Sequence, residues 1–219
     1  MSYIKFANVK YKLENKLFLK NVSFDIKDNK LCLIVNPSYV ISNLIIGKIK
    51  PTSGIIMIND ILINVIKKKE RKNYLKNTIS IIDDNDLLEN LSVIENIELA
   101  NNNNEDIYKY IRKVGLTKKI NYYPSELSDI ETHKAKLAMA LIKKPEILIY
   151  NSIDKLNFKN QVKILKTIKN EYLKNNMIVI IESNKNDLAK ACDEVITFNR
   201  NQIDKIKINK KPKKAGDLL

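Results

Sequence analysis

Glycine is scarce in this chain: only Gly47, Gly54, Gly115 and Gly216 occur among 219 residues. A loop that wraps its backbone amides around phosphate oxygens needs several glycines close together. None lies between Leu31 and Ile46. Tryptophan is absent, and His133 is the single histidine, expected on the surface of a helix. The two cysteines, Cys32 and Cys192, stand far apart in sequence and offer neither a disulfide framework nor metal-ligand spacing. Both read as core thiols of a reducing compartment. Long apolar runs are missing too: no segment approaches the ~18 uncharged residues of a membrane span. Met1-Ser2-Tyr3-Ile4-Lys5 carries no apolar leader. The expected location is therefore cytoplasmic.

What is present suffices for a folded domain. Hydrophobic residues make up 44% of the chain, enough for a core and against wholesale disorder. The net charge is +14 and the pI about 9.5. Such a balance fits an RNA partner, an anionic membrane surface, or a compositional bias toward Lys, Asn and Ile. The charge is spread evenly except at the end, where Lys205, Lys207, Lys210, Lys211, Lys213 and Lys214 cluster in an expected basic tail. That tail reads either as solvated or as contacting anionic lipid or a partner.

Short β-branched apolar runs predict buried strands at Leu31 to Val35, Ile79 to Ile82, Ile147 to Tyr150 and Met177 to Ile181. Helical patterns fall between them, at Ile41 to Lys48, Glu105 to Val114, Glu131 to Lys143, Asn160 to Asn175 and Asp187 to Ala191. Strands alternating with helices predict an α/β fold with a mostly parallel sheet. Ile4 to Ile26 reads instead as extended segments joined by turns, and residues 84–144 as a helical insertion.

The order of these segments resembles an ATP-binding-cassette ATPase, most closely the lipoprotein-release and macrolide-export branch, over nearly the whole chain. Leu19-Lys20-Asn21-Val22-Ser23-Phe24 is similar to the strand before the nucleotide loop, and Lys50-Pro51-Thr52-Ser53-Gly54 to the turn after the first helix. Leu87 to Ile97 resembles the stretch opening the helical subdomain. Tyr123-Pro124-Ser125-Glu126-Leu127-Ser128 leads into the signature, and Pro145 to Ile149 into Walker B. Cys192-Asp193-Glu194-Val195-Ile196 matches the closing helix-to-strand passage. The resemblance implies a P-loop-NTPase-like fold with an antiparallel N-terminal β part. It divides a single domain into an α/β core (1–83 and 145–204), a helical signature subdomain (84–144) and the basic tail (205–219).

Against that pattern the chemical positions are altered. Where the phosphate loop belongs stand Asn36, Pro37, Ser38 and Tyr39, about four residues short of the motif spacing. Ser38 or Ser42 could imitate the magnesium hydroxyl, or act as a turn residue or helix cap. Tyr11 falls where the adenine-stacking aromatic is expected. The Q-loop glutamine aligns with Asp83, the Walker B carboxylates with Asn151 and Ser152, and the switch histidine with Asn184. Asn is a poor magnesium ligand, and a Ser hydroxyl is no general base near neutral pH. The signature reads Leu127-Ser128-Asp129-Ile130-Glu131, with a carboxylate in place of glycine. Ser128 and Glu131 still suit an N-capped helix.

The resemblance thus implies a cassette subunit without an intact catalytic set that docks on a membrane permease or pairs with an active cassette ATPase, at the cytoplasmic face. No cofactor is expected with confidence; weak binding of ATP and magnesium through Tyr11 stays open, as does residual activity in a heterodimer. A nucleic-acid-binding reading rests on charge alone, without zinc-finger spacing or an RNP-like aromatic run.

Overall fold

The computed structural model describes residues 3–37, 40–84, 87–101 and 105–218. The chain opens with two long antiparallel strands, β1 (Tyr3–Leu13) and β2 (Lys16–Lys27). β4 (Ser53–Ile58) and the short β5 (Ile61–Leu62) extend them into a four-stranded sheet ordered β2-β1-β4-β5. Apolar and polar residues alternate along β1 and β2, which fits a sheet with one face in the core and one in water.

The second sheet is built from β3 (Leu31–Val35), β6 (Ile79–Ile82), β7 (Ile147–Tyr150), β8 (Ile178–Ser183), β9 (Glu194–Asn199) and β10 (Gln202–Ile208). Its order is β10-β9-β3-β8-β7-β6, parallel throughout except for β10. Every residue of β3, β7 and β8 is buried, as expected where both faces are covered. The helices are α1 (Val40–Ile45), α2 (Lys68–Thr78), α3 (Val93–Ala100), α4 (Ile107–Val114), α5 (Asp129–Ile142) and α6 (Phe158–Asn175). One core cluster packs α3 to α6 against one face of the large sheet; the other fills the space between the two sheets and α1. The α/β architecture implied by the resemblance is the one found.

Three expectations change. The segment from Lys205 begins as a paired strand, because Lys205, Ile206 and Lys207 oppose Thr197, Ile196 and Val195 of β9. Beyond it, Lys213 N–H donates to Lys190 O at 2.8 Å, Lys169 Nζ donates to Lys213 O at 2.7 Å, and Ala215 is buried. The end of the chain is docked while its lysine side chains stay exposed. His133 is buried rather than superficial. The helix expected to reach Lys48 stops at Ile45, before Gly47 turns the backbone at φ +67.

Scarcity of glycine does not mean scarcity of left-handed turns. Among the described residues seven asparagines take positive φ, Asn36 (φ 58) among them. Asn tolerates that region better than other non-glycine residues because its short amide bonds locally. Only a glycine fits position 54, however. A Cβ there would lie 2.4 Å from Asn8 O and 2.6 Å from Val9 Cα, at the bulge of β1, and φ is +90. Gly54→Ala is expected to cost at least ~1–3 kcal/mol from backbone conformation alone. A urea midpoint within error of the parent would show that β1 and β4 separate freely.

Candidate functional site

At the C-terminal edge of the parallel strands, β3 gives way to Asn36, whose N–H donates to Ser183 O at 2.9 Å. Pro37 follows, buried, and its carbonyl accepts the Val40 amide at the start of α1. Ser38 and Tyr39 lie outside the described residues.

Glu182, the neighbour of Ile34 in the β3–β8 register, points under α1 and is 0% exposed. Its Oε1 accepts the Ser42 amide at 2.7 Å and its Oε2 the Ser42 hydroxyl at 2.9 Å. The same hydroxyl accepts Asn151 Nδ2 at 3.0 Å. Ser42 is therefore neither a cap nor a turn residue. It sits in the first turn of α1, clamped between β7 and β8. Burial pushes the Glu182 carboxyl up to about 7, against the pull of the two Ser42 donors.

Asn151 and Ser152 follow β7 directly, and the Asn151 amide donates to Ile82 O at 3.1 Å. Both side chains are buried, and Asn151 Oδ1 and Ser152 Oγ have no hydrogen-bond partner among the described residues. With Asp83, Asp84, Asn43 and Lys155 they border a small polar cavity of about 250 Å³. Asp84 pairs with Lys155 at 2.8 Å. The Asp83 and Asp84 carbonyls accept Lys136 Nζ at 2.8 and 2.5 Å, so a lysine of α5 holds this loop by its backbone. Asn184 is exposed, its amide bound at 2.7 Å by Asp154, whose other oxygen accepts the Ser183 hydroxyl at 2.6 Å.

The structure thus brings Asp83, Asn151 and Ser152 to one cavity, with Asn36, Pro37 and Asn184 on adjoining turns. Leu127 to Glu131 do not line it. Ser128 precedes α5, and the Glu131 carboxylate receives its N–H at 3.0 Å and its hydroxyl at 2.6 Å. Those bonds hold Glu131 below the ordinary carboxylate range. Asp129 is exposed on the first turn and Ile130 is half-buried.

Tyr11 departs from its expected role as a stacking platform. It is 9% exposed, registered against Leu19 in β2, with its ring 5.8 Å from Phe18. A base could stack on it only if the strands moved. The exposed apolar side chain at the end of β1 is Leu13.

Glu182, Asp154 and Lys136 are the organising residues that motif reading misses. The one available signal, for Glu182 alone, was an acid directly after the apolar run Ile178 to Ile181.

Comparison with known proteins places the chain in a family. A family model described as ABC transporter matches residues 19–151, more than half of the chain. The lipoprotein-releasing system ATP-binding protein LolD of Buchnera aphidicola subsp. Schizaphis graminum is 29% identical over 160 residues, covering 67% of this chain and 70% of that protein. The methionine import ATP-binding protein MetN 1 of Shouchella clausii is 27% identical over 166 residues, covering 70% of this chain. The chain spans only about half of that relative, whose covered share is 47%. In fold it matches the dimeric ATP-binding cassette MJ0796 bound to ADP and Pi, with a TM-score of 0.81 at 21% identity over 94% of this chain and 98% of the other. The chain belongs to the ABC transporter family, as a homologue of its ATP-binding proteins.

Proposed function

We propose that this chain is a cassette subunit that does not turn over ATP by itself and serves as a structural or regulatory member of a transport complex. The observation that carries this reading is the Glu182–Ser42–Asn151 cluster. A triphosphate with magnesium calls for free amides at the start of the first helix, a cation for the phosphates and carboxylates for the metal. At this site a carboxylate of the chain itself accepts an amide of α1, and amide and hydroxyl side chains stand at the Walker B positions. The residues present do not fit the group. The metal-facing functions would have to come from Asp83, whose backbone Lys136 restrains.

The altered signature belongs to the same picture, since Asp129 sets a negative charge where the nucleotide of an opposite subunit would approach. The division into an α/β core (1–83 and 145–204) and a helical subdomain (84–144) is part of this proposal. So are a permease partner, an active cassette ATPase beside it, and a peripheral position on the cytoplasmic face. The LolD likeness favours the lipoprotein-release branch.

Titration of the purified chain with ATP and magnesium, alone and with a co-expressed cassette ATPase, tests the reading. No saturable binding below millimolar ATP and no phosphate release are expected from the chain alone. Micromolar affinity with turnover would overturn the proposal. Turnover that appears only with the second ATPase, and survives mutation of Asp83, would assign the chemistry to the partner.

A further inference from the structure

The opposite edge of the large sheet carries a larger cavity, about 510 Å³, that shares no lining residue with the polar cavity beside Asn151. It lies near the N-terminal ends of β3, β7 and β8, bordered by α4 and by the ends of α5 and α6. That volume falls in the range of small-molecule sites. Three lysines, Lys109, Lys113 and Lys144, line it together with three acids, Asp28, Glu146 and Glu171. The lining is thus formally neutral in a chain of net charge +14. A polyanion or a polyamine would be repelled by half of these groups.

The six groups differ in what they engage. Glu171, its side chain 8% exposed, pairs with Lys113 at 2.5 Å. Lys144 pairs with Glu105, outside the lining, and one Glu146 oxygen accepts Asn59 Nδ2 at 2.6 Å. Lys109 and Asp28 form no ion pair among the described residues. Lys109 stands on α4, its ammonium 5.8 Å from the Tyr110 ring centroid, and Asp28 in the turn between β2 and β3. Beside them α6 ends, at Asn175 and Asn176, and the last carbonyls of a helix carry partial negative charge. Tyr110, Leu141 and Met177 add buried apolar groups to the lining. An available cation, an available anion and apolar groups together complement a dipolar ligand with an aliphatic body.

We propose that this cavity binds a short zwitterionic peptide with apolar side chains. The peptide carboxylate pairs with Lys109, its ammonium with Asp28 and the carbonyl end of α6, and its side chains cover Tyr110, Leu141 and Met177. Lys113 and Glu171, already joined, supply a fixed neutral part of the wall that needs no rearrangement on binding. A single inorganic ion would leave either Lys109 or Asp28 without its counterpart. The site stands at the other edge of the sheet from Ser42 and Asn151, so this proposal and the one on nucleotide turnover fail separately.

The test titrates the isotope-labelled full chain with leucyl-leucine at pH 7 and follows amide shifts. N-acetyl-leucyl-leucine, which lacks the ammonium, and leucyl-leucinamide, which lacks the carboxylate, are the other two arms. Saturable binding of the free dipeptide is expected at ~1 mM or tighter, and each blocked form should bind ~10-fold more weakly. Lys109→Gln, at an exposed position, should weaken the free dipeptide ~10-fold and erase its advantage over the amide. Asp28→Asn should erase the advantage over the acetylated form instead. This exchange of preferences separates direct pairing from a general loosening of the fold. Absence of saturable binding, blocked forms that bind as well as the free dipeptide, or variants that keep the parent's preferences would overturn the proposal.

Discussion

Glu182→Gln should change the pH dependence of stability by about 3 kcal/mol between pH 4.5 and 7. The folded-state carboxyl titrates near 7, while the unfolded one titrates near its ordinary 4.5. Below pH 4.5 both states hold the proton and the group contributes its full stability. Between the two values the folded protein keeps a proton that the unfolded chain has released. Raising the pH therefore favours unfolding, and the contribution is lost by about pH 7. Glutamine does not titrate, so the variant lacks this falling limb. Measured as variant minus parent, the unfolding free energy should rise across the window and flatten above it.

His133 makes the subtraction necessary. Burial, with Lys136 as a second cause, lowers its pKa to about 4. Its folded form binds fewer protons than its unfolded form between 4 and 6.5, so stability from this group rises with pH where that from Glu182 falls. In the parent the two slopes oppose each other. Urea titrations at half-unit pH steps separate them, since only the Glu182 slope disappears in the variant. Parallel curves for Glu182→Gln and parent would mean that the carboxyl is ionised throughout, and that the cluster with Ser42 is looser than its hydrogen bonds describe.

The fold was legible where burial is two-sided. β3, β6 and β7 begin and end at the residues predicted from their apolar runs, because a strand covered on both faces leaves few polar residues to blur its limits. α2 went unread: its sequence Lys68 to Thr78 buries only Arg71, Leu75 and Thr78, too thin a stripe for helical periodicity to show. The docked end of the chain was unreadable for a different reason. Its lysines do remain in water, and what holds it is backbone pairing with β9 and a carbonyl at Lys213 that accepts the Lys169 side chain of α6, which composition does not report.

The site divides along the same line. Which side chains stand at the positions the resemblance aligns was visible in the sequence, since identity at a spaced position is a local property. The substitutes were hidden because each depends on a contact across the fold. Ser42 meets Glu182 from 140 residues away, and Lys136 reaches back 53 residues to Asp83. Tyr11 shows the converse error. Its type suited a platform, but the strand pairing that buries it is invisible to a motif.

Tyr150→Ala is expected to be the most damaging single core substitution, at ~3–5 kcal/mol, a large share of the ~5–15 kcal/mol that keeps a typical domain folded. Tyr150 is fully buried at the end of β7, and its hydroxyl lies 2.6 Å from His133 Nδ1 on α5. The strand that leads into Asn151 and Ser152 is thereby tied to the helix that begins just after Ser128. Lys136, one turn further along α5, makes the second tie through the Asp83 and Asp84 carbonyls. Tyr150→Phe keeps the ring and removes the hydroxyl, leaving a buried imidazole nitrogen unpaired at a cost of ~1–3 kcal/mol. If the tie is what joins the two parts, Tyr150→Phe should also speed amide exchange in α5 more than in β7. Adding His133→Phe should then recover part of the loss, because the orphaned nitrogen is gone. Strictly additive losses in the double variant would show that the two rings only fill space. A helix tied to the core at two points one turn apart, through Tyr150 and through the Asp83 and Asp84 carbonyls, is held against rotation on the sheet.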